Sequence, residues 1–151
     1  MLNPTGLKDQ LQVFFSNPPI ATPDCAAQWA TIMEAYASGI VPPSLGVSAA
    51  ATALTGALTA AFISGPAAVV PGVEAAFLAF ATAVGVGMAP TFTGTPPPAP
   101  VGFAVELAKP PALWATTHED AAILWANMIH TWMTTGIATL VAPPNTPVPW
   151  S

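Results

Sequence analysis

Apolar positions along the chain recur at helical spacing in five stretches, each bounded by proline or glycine clusters. Leu7, Leu11 and Phe14 share one helical face and predict a first helix over roughly Pro4 to Phe15. Asn3 suits its cap and Pro4 its first turn, and Asn17-Pro18-Pro19 closes it. Cys25, Trp29, Ile32, Met33 and Tyr36 form the stripe of a second helix, with Thr22 as the expected cap and Gly39 as the expected terminator. A third, about Ser44 to Ile63, carries three ridges. Leu54, Leu58 and Phe62 form an apolar one, and Ser48, Thr52, Thr55 and Thr59 a hydroxyl one. Ala49, Ala53, Gly56 and Ala60 form a small-residue ridge that would let another backbone approach closely. A fourth, about Pro71 to Val86, presents Val73, Phe77, Phe80 and Val84, with Gly85 and Gly87 expected to loosen its end. The fifth, about His118 to Val141, opens on the box-like Thr117-His118-Glu119-Asp120. It shows a broad face of Leu124, Trp125, Met128, Ile129, Trp132 and Met133.

Between the fourth and fifth stretches lies Ala89 to Pro111, whose Pro96–Pro100 run predicts an irregular, polyproline-like arm. Within it, Val101 to Leu107 reads as an extended piece able to pair with another chain. Ala142 to Ser151 is a tail with four prolines that ends on Trp150. The pattern therefore predicts an all-α domain over residues 1–151. It would be a compact bundle of four to five helices with an Ala/Thr-rich central pair, a Pro-rich arm and a Pro-rich tail. The second and fifth helices should supply the aromatic core, and the third and fourth should pack closely through small residues.

Two segments resemble each other: Ala21-Thr22-Pro23-Asp24-Cys25-Ala26-Ala27-Gln28-Trp29-Ala30, and Ala115 to Ala126, which holds His118-Glu119-Asp120-Ala121-Ala122 and Trp125. Each follows a Pro-Pro pair, and each tryptophan is followed seven residues on by an aromatic, Tyr36 or Trp132. If the segments arose by duplication, these helices hold related places in a pseudo-symmetric bundle. Alternatively, acid, Ala-Ala and Trp are simply a good opening for a packed helix.

Composition narrows the classes of function. Only Lys8 and Lys109 are basic against seven acids, the net charge is −5, and 6% of residues are charged where about 25% is usual. Two lysines cannot neutralise a phosphate backbone, so no nucleic-acid partner and no phosphate chemistry are expected. Mean hydropathy of +0.60 argues against disorder, which needs low hydrophobicity and high charge. The single Cys25 excludes an internal disulfide. Met1-Leu2-Asn3-Pro4 lacks the charged and apolar regions of a signal peptide, so none is expected.

No residue set carries recognisable chemistry. His118 and His130 stand twelve apart, on different helix faces, and no Cys/His spacing supports a metal. Glu119-Asp120 suits a helix start, Glu74 and Glu106 are isolated acids, and Gly85-Val86-Gly87 has no phosphate-binding lysine. Catalytic, metal and cofactor residues are expected to be none, and no small-molecule substrate is inferred.

A free-standing domain usually keeps neighbours away with charge, and this chain has too little. The expectation is a non-enzymatic structural subunit of a large symmetric assembly, in the setting of a phage virion, tail or related particle. It would pack against copies of itself or other subunits, in a particle assembled in the cytoplasm or met outside the cell. The expected subunit contacts are Phe92, Pro96, Pro97, Pro98, Phe103, Pro147, Pro149 and Trp150, on the ground that Trp150 cannot easily reach its own core. Removing Pro143 to Ser151 should then weaken assembly more than folding. The alternative is a small membrane or pore-forming protein, because Ser44–Gly65 and Ala67–Ala89 approach the roughly 20 residues of a span. The absence of flanking Lys or Arg counts against it. A remoter one is an ice-binding helix, suggested by Thr52, Thr55 and Thr59.

Overall fold

The computed structural model describes residues 1–109 and 115–151. The last two residues of the expected arm, Pro110 and Pro111, lie outside them. The described chain is mostly helical, with one small sheet, in the order α1 (Pro4–Ser16), α2 (Thr22–Ala37), α3 (Val47–Ile63), α4 (Pro66–Val86), β1 (Phe92–Thr95), α5 (Val101–Leu107), α6 (His118–Met133), β2 (Ile137–Leu140) and β3 (Pro147–Pro149). The three strands form an antiparallel sheet ordered β1-β2-β3. α3 and α4 form the most intimate pair. α2 lies against α3, α1 against α6, and β1 and α5 against α4.

Several caps follow from local chemistry. The Asn3 side chain accepts the Gly6 N–H at 3.0 Å, and Thr117 Oγ1 accepts the Asp120 N–H at 3.0 Å, so both starts form as the residue types dictate. α2 differs from expectation. Ala21 is its N-cap and makes no side-chain bond, while Thr22 is its first helical residue. Gly39 is not a left-handed terminator. A Cβ there would lie 2.8 Å from the Met1 carbonyl oxygen, so glycine is needed for that approach. α4 starts at Pro66, five residues earlier than expected, and Pro71 sits within it. Gly65, with φ of +91°, makes the turn that lets a helix restart directly after α3.

The region 89–109 is not one irregular arm. β1 pairs with β2 inside the same chain, and Val101–Leu107, expected to be extended, is a helix that buries Phe103. The fifth predicted helix stops at Met133 rather than Val141, and 137–140 becomes the central strand. Gly136 lies between them because the Trp150 ring covers it. A Cβ at that position would fall 2.4 Å from the ring.

The core joins aromatic rings from five helices. Trp29 of α2 packs on Phe14 and Phe15 of α1, Phe77 of α4 and Trp125 of α6, with centroids 5.4 to 6.2 Å apart. Phe103 of α5 adds Phe77 at 5.1 Å and Trp125 and Trp132 at 5.5 Å. The aromatic core expected of α2 and α6 thus extends into α1, α4 and α5.

The helices α2 and α6, which carry the two similar segments, have 16 residues each. The same positions are buried in both: Ala26 and Ala122, Ala30 and Ala126, Met33 and Ile129, Tyr36 and Trp132, Ala37 and Met133, each pair 96 positions apart. The preceding helices match at the same offset, Pro4-Thr5-Gly6-Leu7 against Pro100-Val101-Gly102-Phe103, with Leu7 and Phe103 both buried.

Backbone crowding explains the glycines near the end of α4. A Cβ on Gly87 would lie 2.2 Å from the Gly46 nitrogen, and one on Gly94 would lie 2.5 Å from Gly85 Cα. Gly85 and Gly87 therefore tighten the end of α4 against its neighbours rather than loosening it. Ser44 Oγ donates to the Val84 carbonyl at 2.6 Å, and the Leu45 N–H donates to that of Gly87 at 2.9 Å. Together they cap α4 from the loop before α3.

Candidate interaction surfaces

The expected subunit contacts separate into buried and open groups. Trp150 and Phe103 are each 1% exposed, and Pro97 is buried. These three face the chain's own interior. The Trp150 ring lies on Gly136 and against Gly85, the Trp150 backbone N–H donates to the Gly136 carbonyl at 2.9 Å, and Ser151 pairs with Val41 through two backbone bonds. Trp150 therefore reaches its own core, because β3 turns back along β2 and delivers it there. Phe92 and Pro96 are half-buried. Pro98 is exposed, but its carbonyl accepts the Trp132 indole N–H at 2.7 Å. Pro147 and Pro149 are exposed on the outer strand, where a residue without an N–H blunts further strand pairing.

The small-residue ridge of α3 does not face α4. Ala49, Ala53, Gly56 and Ala60 are exposed, and a Cβ on Gly56 would meet nothing within 4 Å. The close α3–α4 contact runs instead through Ala61, where a Cβ on Gly72 would fall 2.8 Å away, and through Gly46 on Gly87. Thr52, Thr55 and Thr59 return their hydroxyls to carbonyls four residues back, at 2.8 to 3.2 Å, which leaves this face short of free donors. Beside them α4 exposes Ala67, Ala68, Pro71, Ala75, Ala79 and Thr82. Glu74 is the sole charged residue of the two helices, and one of its carboxylate oxygens is buried without a partner. The outer face of the α3–α4 pair thus presents small apolar residues and internally bonded hydroxyls, with the half-buried Glu74 as the pair's one charge.

Two apolar grooves flank α6. The first, about 310 Å³, is lined by Phe15, Leu107, Leu124 and Trp125 with Glu106 and His118. Glu106 is paired with Lys109. The second, about 430 Å³, lies between α5 and α6 over Phe103, Met128 and Trp132, with Asn127, Thr131 and Thr135 on its walls. No charged residue lines this second groove.

The titratable groups are dispersed. Burial raises the Cys25 thiol above its ordinary pKa, which keeps it protonated and a poor nucleophile. Tyr36 Oη lies 2.7 Å from His130 Nδ1, a contact between the two similar helices, and His118 is exposed. Among the described residues, no group of three or more His, Cys, Asp or Glu stands close enough to hold a metal ion.

Burial raises the Tyr36 phenol well above its usual value of 10. A raised pKa contributes stability below the unfolded pKa and loses it as pH rises beyond. Stability should therefore fall above about pH 10 by up to ~1.4 kcal/mol per pH unit from this group. It is the chain's only tyrosine. Urea titrations at pH 9 and 11 should show a smaller alkaline loss in Tyr36→Phe than in the parent, and equal losses would contradict the assignment.

No family model, no curated protein and no solved structure matches this chain.

Proposed function

We propose that the chain is a non-enzymatic structural subunit of a large symmetric assembly, a particle of the phage virion or tail kind. The observation that carries this reading is the charge-poor outer face of α3 and α4, two helices spanning Val47 to Val86 with Glu74 as their one charge. Charge is depleted at the centre of interfaces, where desolvating it is costly, and an exposed face so poor in charge is best accounted for by a covering neighbour. Among the described residues, fourteen large hydrophobic ones are also exposed, including Ile20, Leu45 and Ile63, so contact surface is not confined to one side. Copies related by cyclic or repeating symmetry cover several such faces at once.

The test is mass in solution by light scattering after size exclusion, without detergent. A large defined multiple of 15.3 kDa is expected. A monomer at every concentration would limit the reading to assembly with a different chain.

A second reading has one observation in its favour. By length and composition α4 is apolar enough to cross a membrane, the one such helix among the described residues. Against it, α4 buries Val73, Phe77, Phe80 and Val84 in the shared core. Recovery of the protein only with detergent would favour the membrane reading.

A further inference from the structure

We propose that Tyr36 and His130 form a directed clasp between α2 and α6: the Tyr36 hydroxyl donates to His130 Nδ1 and holds the neutral ring with its hydrogen on Nε2.

The two helices touch at two levels. Trp29 meets Trp125 with centroids 5.6 Å apart, and Tyr36 meets His130 edge-on at 6.3 Å. The second contact lies C-terminal to the first on both helices, so α2 and α6 run side by side in the same direction. The levels are separated by roughly 8–10 Å along the axes. Ring-on-ring packing tolerates sliding. The 2.7 Å bond between Tyr36 Oη and His130 Nδ1 does not, and it fixes the register of the pair. Trp132 holds the place of Tyr36 in the second of the similar segments, but gives its indole N–H to the Pro98 carbonyl instead, so the clasp is used once.

The distance alone suits a bond in either direction, and the surroundings choose between them. Tyr36 is 5% exposed, and among the described residues its hydroxyl makes no other hydrogen bond. If the ring donated, the hydroxyl hydrogen would be left without an acceptor in a nearly buried place, which is costly. His130 is half-buried, so water can serve the other ring nitrogen. A phenol is also the stronger acid of the two groups and imidazole the stronger base, which leaves the shared hydrogen on oxygen. Burial raises the phenol above its ordinary range, so it keeps that hydrogen at neutral pH.

The clasp has a chemical consequence. With Nδ1 spent on Tyr36 and Nε2 carrying hydrogen, the His130 ring has no free lone pair. It cannot act as a base, a nucleophile or a metal ligand until the bond to Tyr36 breaks. His118, exposed at the start of α6, is under no such restraint.

The test uses the full chain, labelled with nitrogen-15, and its Tyr36→Phe variant, which keeps the ring and removes only the hydroxyl. Long-range proton–nitrogen correlation spectra at about pH 8, above the ordinary range of imidazole, locate the ring hydrogen. In the parent it should sit on His130 Nε2, and a slowly exchanging Tyr36 hydroxyl proton should couple to Nδ1. In Tyr36→Phe the ring should relax to the tautomer mixture shown by His118. Diethyl pyrocarbonate, which attacks an unprotonated ring nitrogen, gives a second readout by site-resolved mass spectrometry. The variant should raise the His130 rate by about 2–10-fold, the factor a net hydrogen bond amounts to, and leave the His118 rate unchanged.

A hydrogen on His130 Nδ1 in the parent would overturn the proposal. So would a tautomer and a His130 rate that are the same in both proteins. If Tyr36→Phe does not fold, the parent spectrum alone still decides the direction.

Discussion

Replacing Trp150 by alanine is expected to cost about 3–5 kcal/mol of folding stability, a large share of what a domain of this size has. The indole is 1% exposed and rests on the bare backbone of Gly136, with Gly85 at its edge. Those glycines leave a slot shaped by backbone, and backbone cannot relax into the void as side chains do. The indole N–H is buried without a partner, so the residue contributes packing rather than a hydrogen bond. Trp150→Phe, which keeps a ring and removes the unsatisfied donor, should therefore lose less than half as much. Equilibrium urea unfolding of the three proteins would decide it. Deleting Pro143 to Ser151 should unfold the chain outright, contrary to the expectation that the tail serves assembly more than folding. An alanine variant with parental stability and failed assembly would restore that expectation.

Phe77→Ala is the second large loss, also about 3–5 kcal/mol. Phe77 packs against Trp29, Phe103 and Trp132 at 5.9, 5.1 and 6.3 Å, all near edge-to-face. Its ring joins α4 to α2, α5 and α6. α5 has seven residues and buries only Phe103, so it depends on this contact to stay docked. At roughly 2–4 °C per kcal/mol for a chain of this length, the midpoint should fall by about 6–20 °C. Phe77→Leu should fall less. A thermal melt of the alanine variant within about 3 °C of the parent would show that the rings do not act as one core.

Much of the helical framework was legible because its signals are local. Asn3-Pro4, Thr117 with Asp120, and the stripes of α1, α2 and α6 depend on residues a few positions apart. What escaped depends on distant partners. Val101 to Leu107 reads as strand-like by its valines, yet Phe77 and Trp132 hold Phe103 in a helix. Thr134 to Val141 continues a helical pattern, but the return of β3 makes Ile137–Leu140 a strand. Gly85 and Gly87 resemble terminators, and only the approach of Gly94 and Gly46 explains them. One missed signal lay in plain sight. The match of Pro4-Thr5-Gly6-Leu7 to Pro100-Val101-Gly102-Phe103, at the same spacing as Trp29 and Trp125, marks residues 101–107 as the counterpart of α1.

The candidate surfaces were less legible. A tryptophan among prolines says nothing about which core it enters, whereas Ile20 beside two prolines gave no sign that it projects. Low charge pointed to covered faces without saying which.

The placement of Trp150 bears on the order of events during synthesis. Residues 85 and 136 leave the ribosome before the ring that covers them. Val41 must wait for Ser151, and the Met1 amino group docks on Gly39 beside it. Until Trp150 docks, the chain therefore carries an open, apolar seam. If particles grow from folded subunits, this seam acts as a timer: a chain whose Trp150 has not yet docked keeps its seam exposed and is not ready to join the assembly.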